Sequence, residues 1–190
     1  MSELKVGIVG CGKIAEFHAK ALLKIPGCKL VAACNRTEGK LAKFTERYHI
    51  RGYLSASEMI RSEHLDAVTI CTPHPSHARV TIECLNERCH VLVEKPLAVS
   101  VRECDEMIKA ARLNKVLLGT LVQRRFYKPC MRIHEALARG KMGSPILGEA
   151  VMFGWRSKEY YESDPWRGSW SGEGGGVLLT QASHQIDLLN

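Results

Sequence analysis

Lys5-Val6-Gly7-Ile8-Val9-Gly10-Cys11-Gly12-Lys13-Ile14-Ala15 is the stretch on which the fold turns. Val6 to Gly10 form an apolar run, as expected of a parallel strand buried on both faces. The helical pattern IAEFHAKALL follows directly. Between them each small residue has its own mechanical role. Gly10 makes the tight turn, Gly12 lets a diphosphate approach the backbone, and Ala15 lets helix pack closely on strand. The unpaired N–H groups opening the helix, at Gly12, Lys13 and Ile14, then face an anion. GxGxxA alone is a weak signal; between a strand and a helix, with βα units behind it, it reads as a dinucleotide site.

Outward from this stretch, short β-rich runs alternate with amphipathic ones through the first two thirds of the chain. The spacing predicts strands over 5–9, 30–34, 52–54, 67–71, 90–94 and 116–120, and helices over 14–24, 38–48, 56–62, 76–86 and 101–113. In the last of these, Val101, Cys104, Met107, Ile108 and Ala111 recur at helical spacing. Alternating strands and helices force crossover connections, so the expected fold is α/β, a Rossmann doubly wound parallel sheet. After Thr120 the composition changes. A helix over 130–139, a turn and a strand over 146–153 precede a Gly- and Ser-rich stretch holding all three tryptophans and the adjacent Tyr160 and Tyr161, read as a loop lining a pocket. The expected organisation is a nucleotide-binding domain over 1–122 and the start of an α+β substrate domain, incomplete, over 123–190.

Composition removes several classes. At 45% hydrophobic and 25% charged residues, the chain can build a core and is neither disordered nor fibrous. No apolar run reaches the roughly 18 residues of a membrane span, and no leader pattern precedes the first strand, so a cytoplasmic protein is expected. The 27 basic against 20 acidic residues leave +7, but no Lys/Arg block concentrates it, and no nucleic-acid partner is expected. Eight cysteines without a CxxC read as reduced core thiols. His74 and His77 have HxxH spacing with no nearby carboxylate, and no metal site is read there.

Three positions carry chemistry. The second strand ends Cys34-Asn35-Arg36. An acidic residue at 35 would read the ribose hydroxyls of NAD and repel a 2′-phosphate; Asn35 is uncharged and Arg36 can pair with the phosphate, so NADP is favoured over NAD. The alternative is Asn35 on the ribose of NAD with Arg36 in water. Thr72-Pro73-His74 follows the fourth strand and Glu94-Lys95-Pro96 the fifth, where open α/β sheets bind ligands. Lys95 can handle a proton there with Glu94 offsetting its charge, or can be a surface lysine at a strand end.

Taken together, GCGKIA, CTPHPSHA, EKP, QRRFYKP, WRGSW and GEGGGVLLTQASHQID span nearly the whole chain. The chain resembles the Gfo/Idh/MocA family of NAD(P)-dependent oxidoreductases, which includes glucose-fructose oxidoreductase and inositol 2-dehydrogenase. The resemblance implies hydride transfer between NAD(P) and a secondary alcohol or ketone of a sugar or cyclic polyol. It implies Lys95 on the substrate hydroxyl and His184 as acid/base, Trp166 and Arg167 near the nicotinamide, and Gln123 and Arg125 at the domain junction. It also implies a homo-oligomer formed through the second domain's sheet. Without it, His184 reads as a helix-face histidine paired with Asp187 at i+3.

Two departures stand out. Inositol-dehydrogenase-like members carry an aspartate where this chain has Thr180, four residues before His184 and so on the same helix face if the helix has begun by then. Thr180 can hydrogen-bond substrate but cannot polarise an imidazole as a carboxylate does, which argues against inositol. The second is length: 68 residues after 122 hold no large sheet, so the expectation is a fragment of a longer protein, or strands borrowed from a partner. These departures keep a second function open, a non-catalytic NAD(P)-binding sensor or regulatory protein.

Overall fold

The computed structural model describes residues 3–190. Six strands form one sheet: β1 (Leu4–Val9), β2 (Cys28–Cys34), β3 (Arg51–Tyr53), β4 (Ala67–Ile70), β5 (His90–Glu94) and β6 (Leu118–Leu121). Five helices join them: α1 (Lys13–Leu22), α2 (Glu38–Tyr48), α3 (Ala56–Glu63), α4 (His77–Asn86) and α5 (Val101–Asn114). The order across the sheet is β3-β2-β1-β4-β5-β6. β1 pairs parallel with both β2 and β4, β2 with β3, and β4 with β5. This is the doubly wound Rossmann order, and the chain reverses direction across the sheet between β1 and β4.

Alternation along the strands distributes the core. Val9, Ala32, Cys34, Val68 and Ile70 pack on one face with Met59, Cys84, Leu85 and Met107 from α3, α4 and α5. Ile8, Ala33 and Cys71 pack on the other with Ala15, Ala19, Leu41 and Phe44 from α1 and α2. Two neighbours in β1, Ile8 and Val9, thus face opposite cores, because successive side chains of a strand point to opposite faces. Local signals close the ends of the elements. The hydroxyls of Ser55 and Ser100 accept the N–H of Glu58 and Glu103 and cap α3 and α5.

The chain divides into two compact units, one ending at Thr120 and the other Leu121–Asn190. The second holds α6 (Lys128–Ala138) and four short helices: α7 (Lys158–Glu162), α8 (Trp170–Glu173), α9 (Val177–Thr180) and α10 (Ser183–Leu189). Three expectations are corrected here. Residues 146–153 form no strand, because a strand needs a neighbour to take its N–H and C=O groups and the described residues of this unit offer none. The aromatic stretch is not simply a loop, since α7 and α8 form within it, each opened by a serine, Ser157 and Ser169, whose hydroxyl accepts a backbone N–H. Thr180 and His184 do not share a continuous helix: the chain breaks at Gln181 and Ala182, leaving them on α9 and α10.

Candidate functional site: the glycine turn and the Glu94-Lys95-Pro96 segment

Gly10 follows β1 with φ +96, and a Cβ there would lie 2.9 Å from the carbonyl carbon and oxygen of Cys71. The left-handed backbone and the close approach of the β4 end both require glycine at this position. Gly12 differs. It is the N-cap of α1 with extended backbone, no side chain closes the helix, and a Cβ there would meet nothing within 4 Å. The helix therefore starts into open space with its first N–H groups unclaimed by a capping side chain, the geometry that receives a phosphate. Lys13 and Ile14 are exposed beside it, and Ala15 is fully buried under the helix. The residues present fit a dinucleotide diphosphate.

Asn35 has a role that spacing did not reveal. Its Oδ1 accepts the Cys11 N–H at 3.1 Å while its Nδ2 donates to the Thr37 carbonyl at 3.0 Å. The side chain thus braces the glycine turn against the β2 end. An asparagine directly after a strand that neighbours the glycine strand is the signal that points to it. Arg36 is exposed. In the same turn, burial, with Cys34 and Glu16, pushes the Cys11 thiol up to about 12, so it stays protonated beside the cradle. All eight cysteines are free thiols, and burial likewise raises Cys34 to about 11.

The loops after β4 and β5 are joined by buried histidines. Thr72, Pro73 and His74 are half-buried, and the Ser76 hydroxyl holds Thr72 Oγ1 at 2.8 Å. His77, fully buried, puts Nε2 2.8 Å from the Thr72 carbonyl and Nδ1 2.8 Å from the Pro96 carbonyl. With both ring nitrogens on backbone oxygens, His77 is not available as half of an HxxH metal pair. Among the described residues no group of three or more His, Cys, Asp or Glu is arranged to hold a metal ion. Nor is any helix long and apolar enough to cross a membrane.

Glu94, read as offsetting the Lys95 charge, makes two directed contacts. Its Oε1 accepts from His18 Nε2 at 2.9 Å and its Oε2 accepts the backbone N–H of Lys95 at 3.1 Å. His18 Nδ1 in turn lies 2.7 Å from the Thr69 hydroxyl. Lys95, at the end of β5, is half-buried.

In the second unit, the Arg125 guanidinium grips Asp187 through two bonds, Nε at 2.8 Å and Nη2 at 2.5 Å. Asp187 is therefore engaged by Arg125. His184 and Thr180 are both buried, and the Thr180 hydroxyl donates to the Gly176 carbonyl at 3.2 Å. Arg167 lies 4.3 Å from the Tyr160 ring centroid and 4.5 Å from that of Trp166, and donates to the Tyr160 hydroxyl. Gln123 is exposed in a 3₁₀ turn, Gln123–Phe126.

Residues 4–121 match the family described as an oxidoreductase family with an NAD-binding Rossmann fold, and residues 130–190 match the GFO/IDH/MocA C-terminal domain. The chain is 30% identical over 143 residues to myo-inositol 2-dehydrogenase of Thermotoga maritima, covering 75% of this chain and 43% of that protein. It is 34% identical over 150 residues to trans-1,2-dihydrobenzene-1,2-diol dehydrogenase of Danio rerio, covering 77% and 45%. Among solved structures, the WlbA dehydrogenase of Bordetella pertussis in complex with NADH and UDP-GlcNAcA superposes with a TM-score of 0.90 at 30% identity, covering 99% of this chain and 54% of that one. The chain thus spans about half the length of the proteins it matches. On these matches and the sheet order, it belongs to the Gfo/Idh/MocA oxidoreductase family and carries that family's NAD(P)-binding Rossmann fold.

Proposed function

We propose that this chain is the cofactor domain, over 1–122, and the first part of the substrate domain, over 123–190, of a dehydrogenase acting on a secondary alcohol of a sugar or cyclic polyol. The observation that carries the reading is the open N-terminus of α1 at Gly12, braced from β2 by Asn35 and packed at Gly10 against the β4 end. The amides of Gly12, Lys13 and Ile14 hold the diphosphate. Asn35 and Arg36 face the adenosine ribose, and the exposed guanidinium favours NADP over NAD. The family resemblance assigns Thr72, Pro73 and His74 of the first unit, and Gln123, Trp166 and Arg167 of the second, to the rest of the cofactor, with Glu94 beside Lys95. The bound nicotinamide supplies the hydride acceptor. Lys95 donates to the substrate oxygen and orients it, and His184 takes the hydroxyl proton as the alcohol is oxidised.

Relatives named inositol 2-dehydrogenase and a neighbour holding a sugar nucleotide support a polyol or sugar substrate. Thr180, its proton directed to Gly176, supports a substrate other than inositol. The homo-oligomer implied by the family belongs to the same proposal.

Fluorescence titration of this chain with NADPH and NADH tests the cradle. Tight binding of either, weakened by Gly12→Ala, is expected, with Arg36→Ala weakening NADPH more than NADH. Equal loss for both cofactors rejects the NADP preference, and no binding of either rejects the site. Turnover with a panel of sugars and cyclic polyols, measured on the longest form the reading frame encodes, tests the chemistry. Lys95→Ala and His184→Ala should abolish it. Cofactor binding without turnover on any substrate would favour the sensor over the enzyme.

A further inference from the structure

We propose that His18 and His77 are positioning residues for the Lys95 ammonium, two buried imidazoles from separate helices that fix the residues on either side of it. The inference rests on the role given to Lys95 above. A lysine head rides on four flexible carbons and loses rotamer entropy when held in one place. Fixing the backbone on both sides of Lys95 removes one source of that freedom before substrate arrives.

The N-terminal side is held through Glu94. Its carboxylate bridges the Lys95 N–H and His18 Nε2, and His18 is held from behind by the Thr69 hydroxyl on β4. With the Glu94 carboxylate on Nε2 and the Thr69 hydroxyl on Nδ1, both ring nitrogens are engaged in one orientation, Nε2 donating to the carboxylate. The C-terminal side is held through Pro96: Nδ1 of His77 faces its carbonyl and Nε2 faces that of Thr72, and because a neutral ring carries a single N–H, the proposal places it on Nδ1, donating to Pro96.

Neither ring is placed to meet a ligand directly. His18 is 8% exposed and His77 0%, so both act through their neighbours. Their positions give the clamp a reach beyond Lys95. His18 rides on α1, whose first turn is the phosphate cradle. His77 ties Pro96 to Thr72, whose side chain would lie 3.0 Å from a Cβ at Gly10. The glycine turn, the Thr72 loop and the Lys95 segment are joined by two imidazoles.

The two rings use different nitrogens toward the segment, and this supplies a test. A glutamine amide places its nitrogen near the position of histidine Nε2, and an asparagine amide near that of Nδ1. His18→Gln therefore keeps the donor to Glu94 and His18→Asn withdraws it. The order reverses at His77, where Asn keeps the donor to Pro96 and Gln misplaces it. Lysines of the 190-residue chain are ¹³C-dimethylated reductively and read by ¹H–¹³C correlation, with Lys95→Arg assigning the Lys95 signal. The expected result is a wild-type signal in His18→Gln and His77→Asn, and a shifted, broadened one in His18→Asn and His77→Gln. Phe44→Leu, which loosens the core beneath α2 and removes none of these hydrogen bonds, should lower the melting temperature and leave the signal in place. A Lys95 signal that ignores all four substitutions, or that follows melting temperature whichever amide is present, overturns the proposal and leaves two ordinary core histidines. The signal requires no turnover, so it is independent of whether Lys95 works in a reaction; Lys95→Ala turnover tests that separately.

Discussion

The two units solve the problem of burial in opposite ways. In the first, 29 apolar side chains are buried and fill both faces of one sheet. In the second, the buried residues are Glu173, Thr180 and His184, all polar, while Ile146 and Phe153 are 100% and 95% exposed. Its order comes from directed contacts: Arg125 on Asp187, Arg167 between Tyr160 and Trp166, and serine caps on its short helices. Hydrophobic burial is roughly proportional to area and tolerant of detail, whereas polar pairs contribute little net energy and depend on geometry. The sheet unit is built to persist, and the second unit presents side chains.

The largest expected effect tests that contrast directly. Met59→Ala and Ile70→Ala empty fully buried sites and should each cost about 2–5 kcal/mol in urea unfolding. Phe153→Ser and Ile146→Ser remove larger side chains from exposed positions and should stay within about 0.5 kcal/mol. A loss of several kcal/mol in Phe153→Ser breaks the comparison, since that ring would then have to be buried in solution.

The next effect separates two glycines that lie close in the chain and far apart in role. Gly10→Ala places a methyl against Cys71 at a left-handed backbone and should cost about 1–3 kcal/mol of stability, with cofactor binding lost alongside. Gly12→Ala adds a methyl to open space and should leave the unfolding midpoint nearly unchanged, yet weaken NADPH or NADH by about tenfold or more, about 1.4 kcal/mol. If Gly12→Ala binds cofactor as wild type does, the open space at the head of α1 is not where the diphosphate sits.

Much of the first unit was legible because its signals are local. β5 and α2 fall on the expected residues 90–94 and 38–48, one an apolar run and the other an amphipathic period. Gly10, Gly12 and Ala15 declared themselves by spacing. What escaped were pairings over distance: His18 meets Glu94 across 76 residues and Thr69 across 51, and no periodicity encodes that. The end of β2 was read as placing Asn35 on a ribose, and nothing in its spacing announced that the side chain turns back to Cys11 and Thr37. In the second unit the apolar pattern over 146–153 suggested a strand, but pairing decides a strand and a pattern only permits one. Thr180 and His184 were separated by a break at Gln181 that carries no Gly or Pro to announce it.

A smaller, pH-dependent effect sharpens the account of the sheet unit. Burial pushes the His77 imidazole below its ordinary value of 6.5, against the Pro96 and Thr72 carbonyls and Glu94, with Lys95 acting in the same direction as burial. The unfolded chain then binds the proton first as pH falls. The stability contributed by the neutral ring is complete above about 6.5 and is lost as pH drops through the folded value, by at most about 1.4 kcal/mol per pH unit for one proton. His77→Asn should flatten that slope. Glu63 behaves alike in a lower window. The Tyr53 hydroxyl, with Arg51, holds its carboxyl below the ordinary 4.5 despite burial, so its contribution is present above that value and lost beneath it. A melting temperature flat from pH 7 to 5 in wild type removes the His77 assignment.

The smallest effects compare two surface pairs of equal spacing. Arg102–Glu106 lies on α5 of the first unit, and Glu135–Arg139 on α6 of the second. Both are exposed and worth about 0.3–0.5 kcal/mol as pairs. Their orientation differs. Arg102 is in the first turn of α5, where the helix dipole disfavours a cation, and it precedes its glutamate; Arg139 caps the end of α6, where a cation is favoured, and follows its glutamate. Arg102→Ala should therefore be neutral or slightly stabilising, while Arg139→Ala should cost about 0.3–1 kcal/mol by thermal melting. Because surface pairs do not depend on what lies beneath them, that ordering should follow helix direction and not the unit that carries the pair. A cost at Arg139 well above 1 kcal/mol would mean that α6, which buries no side chain, depends on its surface charges for the order that a core gives to α5.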